Sequence, residues 1–350
     1  MTVTHVQMIS VIGDTQHTRA PLQTPPPTAD EAGAQVLAFV RLVSDMLTRP
    51  HASPHDRIDH RPTTLKVILA PEFYFRCPEG QPDGRGHFVQ RDFIGIMGTL
   101  RTRLREVFEG HARSAGGPGP AFHQPWLVMP GTVVWSRRLA SGEHVLMNTI
   151  FGLDFTDPGQ PPRDHLCDKR YFSDIDGLDK WRNAARDGLA RPESLGYRSD
   201  QTFTLAATTS SGQPIGVGAE ICLDHAFAVL WNAVTGHDRD PALPAPPELH
   251  LHVLLACGMD VNPWHIAVSP RRTGLVLRCN GNRYNHDVGG PIRSDVYGRV
   301  RLPTGGFVWR RDLQVQAAGR IGPIDLASQR PSRPGGTTDL VGVSPSYPIG

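Results

Sequence analysis

Apolar residues along this chain follow two rhythms. Short runs of nearly continuous apolar character recur from end to end: Val6–Ile12, Leu65–Ala70, Trp126–Val134, Leu146–Phe155, Thr202–Ala207, Ile215–Leu223, Leu249–Ala256 and Gly274–Cys279. Such runs predict strands covered on one or both faces. Between them the spacing turns helical. Val36, Val40, Val43 and Leu47 fall on one stripe within Ala29–Leu47, which Pro50 ends. Phe93, Met97, Leu100, Leu104 and Phe108 repeat in the same way within Arg91–Glu109, with Asp92 near the start and Gly110 as the stop. The segment His225–Val234 predicts a third, shorter helix. Strands and helices alternating like this predict an α/β layered fold.

The connectors Pro21–Pro27, Pro78–Gly86, Gly116–Pro125, Pro158–Pro162 and Pro241–Pro247 are rich in proline and glycine and predict surface loops. The strand pattern resumes after each, so none of them divides the chain. One domain over residues 1–325 is expected, followed by a tail, 326–350, that wraps the surface or is disordered.

A chain of 350 residues can bury a core without a metal or disulfide staple. Its 36 basic and 34 acidic residues leave a formal net charge of +2 and no basic run stands out, so neither nucleic acid nor a membrane is an expected partner. The five cysteines (Cys77, Cys167, Cys222, Cys257, Cys279) are odd in number and lack CxxC spacing. That predicts reduced thiols and a cytoplasmic setting rather than a zinc ribbon or redox pair. Met1–Gln16 has no basic segment leading into a long apolar stretch, so no signal peptide is expected.

Three segments carry candidate chemistry. In Gly216–His225 an apolar strand runs into Cys222 and then straight into helix-compatible residues. A thiol between a strand end and a helix start is favoured as the reactive thiolate. The alternative is a packed core thiol, the common fate of a free cysteine. In Leu65–Phe75, Glu72 follows Pro71 at the mouth of a hydrophobic strand, among aromatic residues. Apolar surroundings raise a carboxylate's pKa towards neutrality, which suits a general base, whereas a solvated strand end would not. In Asp164–Asp176, Lys169 taken alone reads as a surface lysine.

Taken in order, the three segments resemble the nitrilase superfamily of carbon–nitrogen hydrolases. That family has Pro-Glu at a strand end, a lysine segment of the form Tyr-Arg-Lys-x-His-Leu, and a Gly-x-x-Ile-Cys-x-Asp stretch holding the nucleophile. The counterparts are Pro71-Glu72, Asp168–Phe172 with Lys169, and Gly218–Asp224 with Cys222. Val6–Ile12 is similar to the opening strand, Asn148-Thr149 to the Asn-Thr before the lysine, and Arg278–Val300 to the closing segment. The gaps on either side of Lys169 are long for the family, and its segment matches least closely.

The resemblance implies a four-layer α-β-β-α sandwich, paired into a homodimer or larger homo-oligomer. It implies Cys222 as nucleophile, Glu72 as base, and Lys169 with the backbone N–H of Leu223 as the oxyanion pocket, without a cofactor or metal. Many members carry a second glutamate after the lysine; Glu193 is the best counterpart, with Asp174 and Asp176 as rivals. Tyr74, Phe75, His225 and Phe227 flank the triad and are expected to line the pocket. Cys222-Leu223-Asp224 resembles the Cys-x-Asp of amidases and carbamoylases more than the Cys-Trp-Glu of true nitrilases. A small-molecule amide or N-carbamoyl substrate is therefore implied, with a nitrile as the alternative.

Two other classes stay open. The 16 histidines include His250 and His252 on one strand face and the group His55–His60, which would suit a metallohydrolase, although no HExxH motif is present. The non-enzyme alternative is a degenerate family member that acts as a binding protein.

Overall fold

The computed structural model describes residues 1–12, 31–48, 57–75, 87–114, 124–157, 159–172, 189–190, 199–238, 245–271, 273–281, 294–301, 307–311 and 340–349. Two β-sheets form its body. The first runs in the order β1 (Thr2–Val3), β10 (Thr202–Thr209), β11 (Pro214–Ile221), β12 (Leu249–Ala256), β13 (Leu275–Asn280), β14 (Asp295–Arg301) and β15 (Phe307–Arg311). The second runs β16 (Leu340–Pro348), β2 (His5–Ile12), β3 (Thr64–Leu69), β5 (Trp126–Met129), β7 (His144–Asp154), β6 (Thr132–Arg138) and β4 (Phe88–Val89). Two further strands, β8 (Arg163–Asp168) and β9 (Leu189–Ala190), also pair with β7. The centre of each sheet is parallel: β2, β3 and β5 in one, β11, β12 and β13 in the other.

The apolar runs become strands for the expected reason, and alternation assigns their faces. Val217, Ala219 and Ile221 of β11 share one buried cluster with Leu65, Val67 and Leu69 of β3, so the two sheets pack on each other. Cys279 ties the same interface, its thiol lying 3.3 Å from Ser10 and reaching the carbonyls of Val11 and Leu69. Helices α1 (Glu31–Thr48) and α2 (Gln90–Ser114) bury Phe39, Val43, Leu100 and Leu104 with Ile68 and Val128, on the other face of the second sheet. Each such side chain contributes roughly 1.5–3 kcal/mol when fully buried. The fold is thus mixed α/β, with two sheets and few helices among the described residues.

Four expectations need correction. The run Trp126–Val134 is broken into β5 and β6, because Gly131 turns the chain at φ +93° and a Cβ there would meet Pro71 O at 2.6 Å. The segment after Cys222 forms two short helices, α3 (Leu223–Ala226) and α4 (Val229–Thr235), broken where Ala228 takes the left-handed conformation at φ 54°. Helix α2 runs past Gly110, since a helix-interior glycine costs only about 1 kcal/mol and keeps its N–H. Part of the expected tail is built in: β16 pairs antiparallel with β2 and buries Val341 and Val343. The domain boundary at 325 lies outside the described residues.

Candidate active site

Glu72, Lys169 and Cys222 each lie just beyond the C-terminal end of a strand, β3, β8 and β11 respectively. Register explains Lys169. β8 runs antiparallel to β7 with Asp168 opposite Thr149, and the backbone N–H of Lys169 continues that ladder by donating to Asn148 O at 2.8 Å. The ammonium then donates to Glu72 Oε1 at 2.8 Å, with both side chains fully buried. Asn148 donates to the same oxygen from Nδ2 at 3.1 Å. Rings of Phe73 and Phe172 lie 5.8 and 5.9 Å from the ammonium, walling the pair with apolar surface. Lys169 is therefore no solvated lysine, and the carboxylate of Glu72 is the reason it can be buried.

Cys222 occupies the turn between β11 and α3 at φ 45°, ψ −103°. A positive φ on a non-glycine residue costs on the order of 1–3 kcal/mol and persists only where its surroundings over-determine it. Its N–H donates to Leu255 O on β12, and its carbonyl accepts from the N–H of His225, both at 3.0 Å. Asp224 ties this turn to the lysine segment. Its buried carboxylate accepts the backbone N–H of Arg170 at 2.9 Å and of Tyr171 at 2.7 Å, and Gln201 Nε2 at 3.3 Å. Burial pushes the Asp224 carboxyl up to about 8, against those two backbone donors and the Lys169 charge.

Two other described thiols differ. Cys167 and Cys279 are 2% and 0% exposed against 8% for Cys222. Burial pushes both up, Cys279 to about 11, and so holds them in the unreactive protonated form.

A second buried cluster stands beside the cysteine turn. Glu220 Oε1 lies 2.5 Å from His225 Nδ1 and 2.7 Å from His252 Nε2, and Oε2 accepts the N–H of Leu230 at 3.3 Å. Burial favours the protonated acid, but the His252 and His225 imidazoles outweigh it and hold Glu220 at about 2. The ligand atoms of this trio lie within 4.8 Å of one another, as a metal site would require. The outer nitrogens decide against that use. His225 Nε2 accepts the N–H of Asn262 at 2.8 Å, and His252 Nδ1 accepts the N–H of Ala267 at 3.3 Å. A backbone N–H can only donate, so the nitrogens facing Glu220 carry the protons. Metal-binding histidines show the reverse, an outer N–H that donates to an acceptor.

Several expected wall residues are elsewhere. Tyr74 and Phe75 are core residues, packed edge-on against Phe39 of α1 at ring distances of 5.6 and 6.3 Å. His225 is fully buried with both ring nitrogens engaged, so it belongs to the Glu220 cluster and not to a pocket wall. Leu223 opens α3 beside Cys222 and is half-buried, whereas Phe227 is exposed, its ring 4.6 Å from that of Tyr171. Glu193, Asp174 and Asp176 lie outside the described residues, as does His55. His250 stands apart from His252, its Nδ1 accepting the N–H of Gly216 at 3.2 Å. Asn148 was visible in sequence only as half of Asn148-Thr149, and Glu220 had no sequence signal beyond being an acid inside an apolar strand.

No family model and no curated protein matches this chain. Among solved structures, the NitN amidase from Neterenkonia sp. AN1 is similar over 97% of this chain and 92% of its own, at 13% identity and a TM-score of 0.40. The central domain of yeast acetyl-CoA carboxylase is similar over 79% of this chain and 40% of that one, at 9% identity and a TM-score of 0.19. Likenesses this loose carry no argument about activity, which rests on the side chains.

Proposed function

We propose that this protein is a cysteine-dependent hydrolase of non-peptide carbon–nitrogen bonds. The observation that carries the reading is the fully buried Glu72–Lys169 pair, 2.8 Å apart, held beside a strained cysteine turn by Asp224. A buried carboxylate–ammonium pair adds little net stability over apolar side chains, which favours a chemical use for it, and strained residues concentrate at reacting centres.

The chemistry follows from the three groups. Glu72 accepts the thiol proton as the Cys222 sulfur attacks the carbonyl carbon, forming the C–S bond. Lys169 and the N–H of Leu223 stabilise the oxyanion, whose loss of one donor typically costs roughly 10²–10³ in rate. Glu72 returns the proton to the leaving nitrogen as the C–N bond breaks, leaving a thioester. It then takes a proton from water as the water oxygen attacks the thioester, and passes that proton to the Cys222 sulfur as the C–S bond breaks, releasing the acid and restoring the free thiol and the carboxylate.

An amide or N-carbamoyl substrate is the first choice, from Cys222-Leu223-Asp224, with a nitrile as the alternative. Glu193 is proposed to support Lys169. The four-layer sandwich is proposed with α4 as its fourth layer: Leu230 lies on β11 where a Cβ at Gly218 would come within 2.6 Å of it. A homodimer or larger homo-oligomer and a cytoplasmic setting complete the reading; among the described residues no helix is long and apolar enough to cross a membrane.

The test is ammonia or amine release from a panel of amides and N-carbamoyl compounds, with mass spectrometry of the intact protein. Turnover with an acyl adduct on Cys222, both absent in Cys222→Ala, is the expected result. Full activity in that variant would sink the proposal.

A further inference from the structure

The Glu220 cluster encloses the cysteine turn. Ala219 and Ile221 face the inter-sheet core, so Glu220 between them points to the opposite face of β11. There it meets His225, which lies beyond Cys222 on α3. The hydrogen bond between them, 2.5 Å long, closes a loop of chain whose middle is the positive-φ cysteine. The same carboxylate also takes His252 from the neighbouring strand β12 and the N–H of Leu230 in the first turn of α4. One carboxylate thus fastens four elements around one strained residue. On the far side, His225 holds the 262–265 turn twice, accepting from Asn262 N at 2.8 Å and offering its carbonyl to His265 Nδ1 at 2.7 Å.

We infer that Glu220, His225 and His252 are positioning residues: a hydrogen-bonded clamp that holds Cys222 in its positive-φ conformation and aims its sulfur. The inference rests on Cys222 being the nucleophile. It assigns no substrate contact to the cluster, because all three side chains are buried and their ring nitrogens and carboxylate oxygens are engaged with one another or with backbone N–H groups. It also excludes a zinc or manganese role for the trio, since its protons point inward at the shared carboxylate.

Isosteric variants separate the clamp from a merely structural cluster. In His225→Asn the Nδ2 group replaces the Nδ1–H that reaches Glu220. In His225→Gln the Oε1 atom replaces the Nε2 acceptor for Asn262, and the link to Glu220 is lost. Glu220→Gln sets a donor against a donor in either orientation of its amide. The readout is the rate at which iodoacetamide alkylates Cys222, followed by peptide mass spectrometry and normalised to folded protein, with Tm measured alongside. A displacement of about 1 Å can cost about a hundredfold in rate, so His225→Gln and Glu220→Gln are expected to react about tenfold more slowly or worse, and His225→Asn within about threefold of the parent.

Should Glu220→Gln fail to fold, the two His225 variants decide, since they leave the bonds to His252 and Leu230 in place. Equal alkylation rates in His225→Asn and His225→Gln, with only Tm lowered, would overturn the inference. Stoichiometric zinc retained by the parent through dialysis and lost in Glu220→Gln would overturn it as well. Alkylation needs no substrate, so the two readings fail separately. Fast Cys222 alkylation without amide turnover sinks only the hydrolase. A Cys222 no more reactive than Cys279 sinks both.

Discussion

Glu72 and Glu220 are both buried carboxylates near the ends of parallel strands, yet their partners make them opposites. Glu72 faces a lysine ammonium between two aromatic rings, so a proton taken up by that carboxylate from outside the pair changes its charge balance. Glu220 faces two imidazoles whose tautomers are fixed from behind by the N–H groups of Asn262 and Ala267. There every proton has one place to be. The first arrangement is suited to chemistry and the second to holding a shape, although burial and residue type are the same. On the proposed function, partner identity, and what stands behind the partner, separates a reacting carboxylate from a structural one.

The sharpest way to break this contrast is to remove the ammonium. Lys169→Met keeps the volume but strips the cation from a buried carboxylate, which costs about 3–5 kcal/mol of stability. It also removes the proposed oxyanion donor, for a rate loss of roughly 10²–10³. Adding Glu72→Leu should restore much of the stability, because a buried pair exchanged for apolar side chains is near neutral, while activity stays lost. Urea midpoints and hydrolysis rates of the single and double variants make the check. A double variant no more stable than the single would mean that the pair does not carry its own desolvation cost.

Acid should separate the two carboxylates next. Burial lowers His252 below its ordinary 6.5, and Glu220 is held at about 2 against an ordinary 4.5. In both cases the unfolded chain binds more protons, so stability falls as the pH drops below 6.5 and falls more steeply below 4.5. Glu220→Gln should flatten the lower part of that slope. Thermal unfolding across this range tests it, and parallel losses in the parent and the variant would remove the cluster as the cause.

How much of this contrast was legible beforehand depends on what fixed each part. Strands such as Leu65–Leu69 and Leu249–Ala256 are nearly continuous apolar runs, and composition alone marks them. β8 was missed because Arg163–Asp168 is polar; its place comes from pairing with β7, which no local pattern records. Glu72, Lys169 and Cys222 are proposed as a site from their order along the chain, and the structure joins Glu72 to Lys169 directly. Tyr74 was misassigned because adjacency to Glu72 says nothing about facing: Gly131 crowds Tyr74 Cβ from one side and Phe39 takes its ring. The Glu220 cluster was invisible because its members are brought together by the turn at Cys222 and by the parallel register of β11 with β12. His250 and His252 looked alike in sequence, but only His252 reaches that carboxylate.

Lys66 supplies the mildest test, a buried cation with no carboxylate in contact among the described residues. It lies on β3, fully covered, donating to the carbonyl of Arg61 at 2.9 Å with its ammonium 5.8 Å from the Trp126 ring centre. Burial lowers it to about 7 from an ordinary 10.5, against the pull of Asp59 and with the push of Arg61. Between those values the unfolded lysine holds a proton that the folded one has released, so stability should rise as the pH climbs from about 7 towards 10.5. Lys66→Met should erase that rise and raise Tm at neutral pH, because an apolar side chain replaces a charge that the fold disfavours. Lys169→Met must move the other way if a contacting carboxylate is what makes a buried lysine tolerable. Thermal melts of both variants at the two ends of the window read the difference, and a Lys66→Met protein that melts lower than its parent at neutral pH would show that the Arg61 carbonyl and the Trp126 ring suffice to hold a buried charge.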